Sequence, residues 1–81
     1  MRRPRNIVGP VVRQLREQQR LTQPELAARL NLAGWDISRE TLAKIESQIR
    51  WVADFELLKL ADALQVRPEA LLKASRDPSR E

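Results

Sequence analysis

Residues 21–46 read LTQPELAARLNLAGWDISRETLAKIE, and two helix starts inside this stretch decide the fold. The first is Leu21-Thr22-Gln23-Pro24-Glu25. Thr22 can accept hydrogen bonds from first-turn amides, and Glu25 three residues on completes a capping box. Pro24 is tolerated there because a first-turn N–H has no helical partner. Leu26, Ala27, Leu30 and Ala33 follow at helical spacing. Gly34 offers the left-handed stop, with Asn31 as a second candidate. The second start is Ser38. Winding residues 39–49 at ~100° per residue gathers Leu42, Ile45 and Ile49 within about 60°. Arg39, Glu40, Ala43, Lys44 and Ser47 fall on the opposite arc. One face is built to pack, and the other is built to meet something polar.

Working outward, Gly9-Pro10 opens an earlier helix, because proline suits a first turn. Val12, Leu15, Arg16 and Gln19 share one face, so this helix is expected over residues 10–19. Beyond the second start, a fourth helix begins near Asp54, with Leu57, Leu60, Ala61 and Leu64 as its buried stripe. Val66-Arg67-Pro68-Glu69 breaks it and starts a fifth, carrying Leu71 and Leu72. Five short helices leave no room for a sheet, so the expected class is all-α. The expected organisation is a basic arm over residues 1–9, one domain over residues 10–74, and a polar tail over residues 75–81.

Composition narrows the function. A chain of 81 residues suits one small domain. It has no cysteine and no histidine. Disulfides, thiolate and imidazole metal sites, and the Ser-His-Asp triad are therefore ruled out. Its two glycines cannot build a phosphate-cradling loop. No apolar run approaches the ~20 residues of a membrane span. Arg2, Arg3 and Arg5 are not followed by the apolar stretch of a secretory signal. The expectation is a cytoplasmic binding module, not an enzyme, with no cofactor and no small-molecule ligand. Residues 1–50 hold ten basic and five acidic side chains, and residues 51–81 hold five and six. The positive excess in the first half suggests a polyanionic partner.

These residues resemble the lambda-Cro/XRE-type helix-turn-helix domain. The likeness runs from Val12 to Leu72: V-x-x-L-R-x5-L-T-Q-x-E-L-A, then S-R-E-T-L-A-K-I-E, then L-L-K-L-A-D-A-L-Q-V. It implies a five-helix lambda-repressor-like bundle whose third helix reads DNA. Two departures stand out. Seven residues, 31–37, separate Leu30 from Ser38, a longer spacer than the family's. Helix 2 is therefore expected to gain a turn, with Trp35 packing over the junction. Gln48 replaces the family's glycine after the recognition helix, so helix 3 is expected to run on toward Arg50.

The resemblance implies roles residue by residue. Arg39, Glu40, Ala43 and Lys44 would meet base edges, the cations donating to guanine and Glu40 accepting from cytosine. Gln23, Ser38, Thr41, Arg50 and Arg13 would meet phosphates, Gln23 assisted by the start of its helix. Apart from the resemblance, Arg2, Arg3 and Arg5 could reach a minor groove or phosphates as basic arms do, the alternative being a disordered tail when DNA is absent. Arg16 lies within an apolar stripe, where an unpaired charge is costly. The family pairs its position with that of Glu46, which implies a structural ion pair. Trp35 and Trp51 are read as packing residues, since a duplex reader has little use for base stacking.

The expected function is a sequence-specific, repressor-like regulator of transcription that binds a double-stranded operator as a homodimer formed mainly on DNA. Leu71, Leu72, Phe55 and Leu58 are the expected dimer surface, a self-complementary patch about a two-fold axis. The alternatives are an antitoxin-like regulator with a toxin partner, and a protein-interaction module on the same fold.

Overall fold

The computed structural model describes residues 3–74, so Arg2 and the tail over 75–81 lie outside the described residues. Five helices form among these: α1 Gly9–Gln18, α2 Gln23–Leu32, α3 Arg39–Glu46, α4 Asp54–Ala63 and α5 Pro68–Ala74. The helix starts follow the capping chemistry. The Thr22 hydroxyl accepts from the Glu25 N–H, and the Glu25 carboxylate accepts from the Thr22 N–H. Ser38 accepts from the Thr41 N–H in the same way. Glu56 accepts from the Ala53 N–H at the start of α4.

The helix ends share one device. Arg20, Gly34, Gln48 and Gln65, which follow α1, α2, α3 and α4, all have positive φ. After each, the next N–H folds back to a last-turn carbonyl: Leu21 to Arg16, Trp35 to Leu30, Ile49 to Lys44 and Val66 to Ala61. These are Schellman closures, which satisfy carbonyls that a helix end leaves open. Helix 3 therefore stops at Glu46 and does not run on toward Arg50. Gln48 adopts φ 65°, filling the glycine's conformational role without being a glycine. Helix 2 extends only to Leu32, short of the full extra turn expected. The rest of the long spacer is a loop. Its Ile37 is buried, and its Trp35 packs against the core as expected.

The core gathers Val8, Val11 and Val12 with Leu26, Leu30, Ile37, Leu42, Ile45, Leu60, Leu64 and Leu71. Helix 3 packs against α1 and α2, while α4 packs against α2 and α5. Gly9 permits the closest approach. A Cβ there would overlap the Ile45 carbonyl oxygen, so α1 meets the end of α3 backbone to backbone.

Three expectations are corrected. The domain begins before residue 10: Val8 and Gly9 are buried, and the Arg5 N–H donates to the Gln48 carbonyl at 2.9 Å. The segment ahead of the domain is therefore shorter than residues 1–9. Leu71 is fully buried and closes the core, so it is not part of a dimer surface, whereas Leu72 is 43% exposed. Adjacent residues on a helix point about 100° apart, so the two leucines cannot share one face. Trp51 is 68% exposed, because it lies in the connection after α3, outside any packed helix face.

Candidate nucleic-acid interface

Helix 3, with the start of α2 packed against it, presents a polar outer face. On α3, Arg39, Glu40 and Lys44 are exposed, as is Ser47 just beyond it, while Ala43 is half-buried between them. The small side chains at 43 and 47 leave the middle of this face low. Ser38 is exposed and donates its hydroxyl proton to the half-buried Thr41 hydroxyl at 3.1 Å. The amides of the first turn of α3 add a partial positive charge at the same end.

The basic residues divide by what they touch. Arg13 pairs with Glu17, Arg16 with Glu46, Arg50 with Glu56 and Arg67 with Glu69. Arg29 and Lys59 donate to the Ala63 and Ala33 carbonyls. Among the described residues, Arg39 and Lys44 on α3 and Arg3 and Arg5 near its far end have no ion pair, and neither do Arg20, Arg29, Lys59 and Lys73 elsewhere. Arg39 and Lys44 thus stand unpaired along α3 beside the equally unpaired Glu40, with Arg3 and Arg5 at its C-terminal side.

Arg50 is engaged inside the fold. Its guanidinium donates to both Glu56 oxygens, at 3.0 and 3.3 Å, and lies 5.8 Å from the Trp35 ring centre. A phosphate at Arg50 would have to compete with that carboxylate. The same holds more weakly for Arg13, whose pair with Glu17 is largely exposed. Hydrogen bonding from Arg50 holds the Glu56 carboxyl below the usual glutamate value, against the opposing effect of burial.

Beneath the face lies the buried cluster. Arg16 donates to Glu46 through Nε at 2.7 Å and Nη2 at 3.1 Å, and through Nη1 to the Leu21 carbonyl at 2.8 Å. The bonds to Glu46 raise the Arg16 pKa above its ordinary value, against the desolvation that lowers it. Gln23 Nε2 also donates to Glu46 Oε1, at 3.1 Å. Gln23 is half-buried, so the residue expected at a phosphate is held from behind by the ion pair that locks α1 to α3. Its amide carries a second N–H.

Asn6 escaped the sequence reading, as did the side-chain role of Gln48. Asn6 donates to the carbonyls of Ile45 and Arg50, and Gln48 donates to the Asn6 carbonyl. The signal available was Gln48 itself, a non-glycine at a position where the chain must turn left-handed.

A compact bundle with a capped, cation-bearing helix projecting from a helix-turn-helix defines a DNA-binding protein of that class. Comparison bears this out. The family model described as Helix-turn-helix matches residues 12–71. The high-resolution crystal structure of the restriction-modification controller protein C.AhdI from Aeromonas hydrophila is similar, with a TM-score of 0.70 at 31% identity. The likeness covers 80% of this chain and 91% of that one. No curated protein matched. The chain belongs to the XRE/Cro-type helix-turn-helix family of DNA-binding transcriptional regulators.

Proposed function

We propose that the chain is a sequence-specific, repressor-like regulator that binds a duplex operator as a dimer, with α3 in the major groove. The observation that carries this reading is the outer face of α3, where Arg39, Glu40 and Lys44 stand free around the low centre at Ala43. Arg39 and Lys44 donate to guanine edges and Glu40 accepts from cytosine. Gln23, Ser38 and Thr41 hold phosphates beside the two helix starts, and Arg3 and Arg5 meet the backbone further along. In the dimer, two copies of α3 sit one helical turn apart, ~34 Å. Leu72, Phe55 and Leu58, exposed by 43%, 62% and 55%, supply the apolar contact. No helix of the described residues is long and apolar enough to cross a membrane, in keeping with action in the cytoplasm. The likeness to C.AhdI supports control of restriction-modification genes as the setting.

The test is selection of bound sequences from a random duplex pool at fixed, stated salt. Enrichment of a palindrome with half-sites one turn apart is expected. A pool that stays random, or retention that does not weaken as salt rises, overturns the reading, because neutralised phosphates release counterions.

A further inference from the structure

We propose that Asn6 and Gln48 form a clasp that mounts the basic arm on the end of the recognition helix, and that Asn6 is a positioning residue for phosphate contacts by Arg3 and Arg5. This rests on the duplex-binding reading above. One side chain, Asn6, joins three elements. Its amide donates to the Ile45 carbonyl in the last turn of α3 at 3.0 Å, and to the Arg50 carbonyl in the following loop at 2.9 Å. Its oxygen accepts from the Gly9 N–H at the start of α1 at 2.7 Å. Gln48 closes the clasp from the other side. Its amide donates to the Asn6 carbonyl and its own carbonyl accepts from the Arg5 N–H, both at 2.9 Å.

Gln48 does this from a backbone conformation that L side chains adopt at a cost. A glycine would make the same turn without that cost, but it could not reach Asn6. The side chain therefore has a use that the turn alone does not explain. Asn6 also covers a carbonyl at the C-terminal end of α3, whose partial negative charge would repel a phosphate. Arg3 and Arg5 leave from this point, exposed and without ion pairs among the described residues. Cations thus flank α3 at both ends, Arg39 at the start and the arm beyond the finish. The eight residues of α3 span about 12 Å. An arm fixed past that span lengthens the charged footprint along the duplex, whereas a loose arm would lose entropy on binding.

The experiment measures duplex affinity against salt for four forms of the full chain. These are wild type, Gln48→Gly, the double variant Arg3→Ala with Arg5→Ala, and the combination of all three substitutions. Gln48→Gly cuts the side-chain bond while relieving the left-handed turn, so the fold is retained. Hydrogen exchange at the Arg5 N–H reports the clasp without DNA. The expected result is faster Arg5 exchange in Gln48→Gly. The slope of log affinity against log salt should fall by about 1–2 in both the Gln48→Gly and the arginine variants. Adding Gln48→Gly to the arginine variant should lower neither slope nor affinity further. Wild-type binding with an unchanged slope in Gln48→Gly overturns the clasp alone. So does an equal loss from Gln48→Gly with and without the arginines. A wild-type chain that binds no duplex overturns the functional reading and this inference together.

Discussion

Glu46 accepts three side-chain hydrogen bonds, two from Arg16 and one from Gln23, so substitutions at this buried pair and on the outer face of α3 have opposite outcomes. Arg16→Ala strips two of those donors from a carboxylate whose side chain is 4% exposed. Breaking a buried pair in this way costs ~3–5 kcal/mol, although an intact pair need not add much over an apolar replacement. For a domain expected to be stable by ~0.05–0.15 kcal/mol per residue, that is much of the total. Thermal melting should therefore show a large loss, and an unchanged melting curve would remove the pair's structural role. Arg39→Ala should behave the other way. The side chain is exposed and unpaired, so stability should hold. Affinity for the preferred duplex should drop by ~1–3 kcal/mol, with preference relaxed at one base pair. Equal losses on preferred and random duplexes would count against base reading by Arg39.

At the level of the element, four helix ends close by the Schellman geometry, and three do so with Arg20, Gln48 or Gln65 in the left-handed conformation. Gln65 is exposed and follows α4. Replacing it with glycine should raise stability by about 0.5–1 kcal/mol, because the left-handed strain relieved outweighs the entropy glycine loses on folding. A lower melting temperature for Gln65→Gly would show the strain to be negligible. Gly9→Ala should do the reverse. The added methyl would overlap the Ile45 carbonyl, forcing α1 away from α3 and disturbing the docked start of the arm. The helix starts were legible in the sequence because Thr22 with Glu25 and Ser38 act on their own neighbours. The ends were less so. A left-handed glutamine has no compositional mark, and the stop after α3 came from backbone closure that the side-chain pattern alone did not reveal.

At the scale of the molecule, charge and pH follow from which carboxylates are held. The Thr22 N–H and hydroxyl lower the Glu25 pKa, and Arg50 foremost lowers that of Glu56. A carboxyl whose folded pKa lies below its unfolded value contributes stability above the unfolded value. That contribution is lost as pH falls through the folded one. The melting temperature should therefore decline on acidification below the ordinary glutamate range. With no histidine in the chain, no imidazole contributes to a change near neutrality. Glu56→Gln should flatten the acid decline, and an identical decline in that variant would exclude Glu56 as a source. The apolar surface gives the other prediction at this scale. Leu72 is half out of the core while Leu71 seals it. Leu72→Glu should leave a folded chain, seen as intact helical circular dichroism, that occupies half-sites but loses cooperative binding to the full palindrome. Retained cooperativity would place the dimer contact elsewhere.

Local patterns in the chain were enough for the helical class, the starts of α2 and α3, and the outward set Arg39, Glu40 and Lys44. Each depends on local spacing: a cap acts within one turn, and a helix face repeats every few residues. The partner of Arg16 came through family likeness, since nothing local to residue 16 points thirty residues ahead. Long-range packing set how far the domain reaches toward the N-terminus. The bonds of Asn6 to Ile45 and Arg50 join residues about forty apart in the chain. It also separated Leu71 from Leu72, because which side of a short helix meets the core depends on where α1 and α4 lie. It set Trp35 inward and Trp51 outward for the same reason: an indole is buried only where other elements happen to cover it.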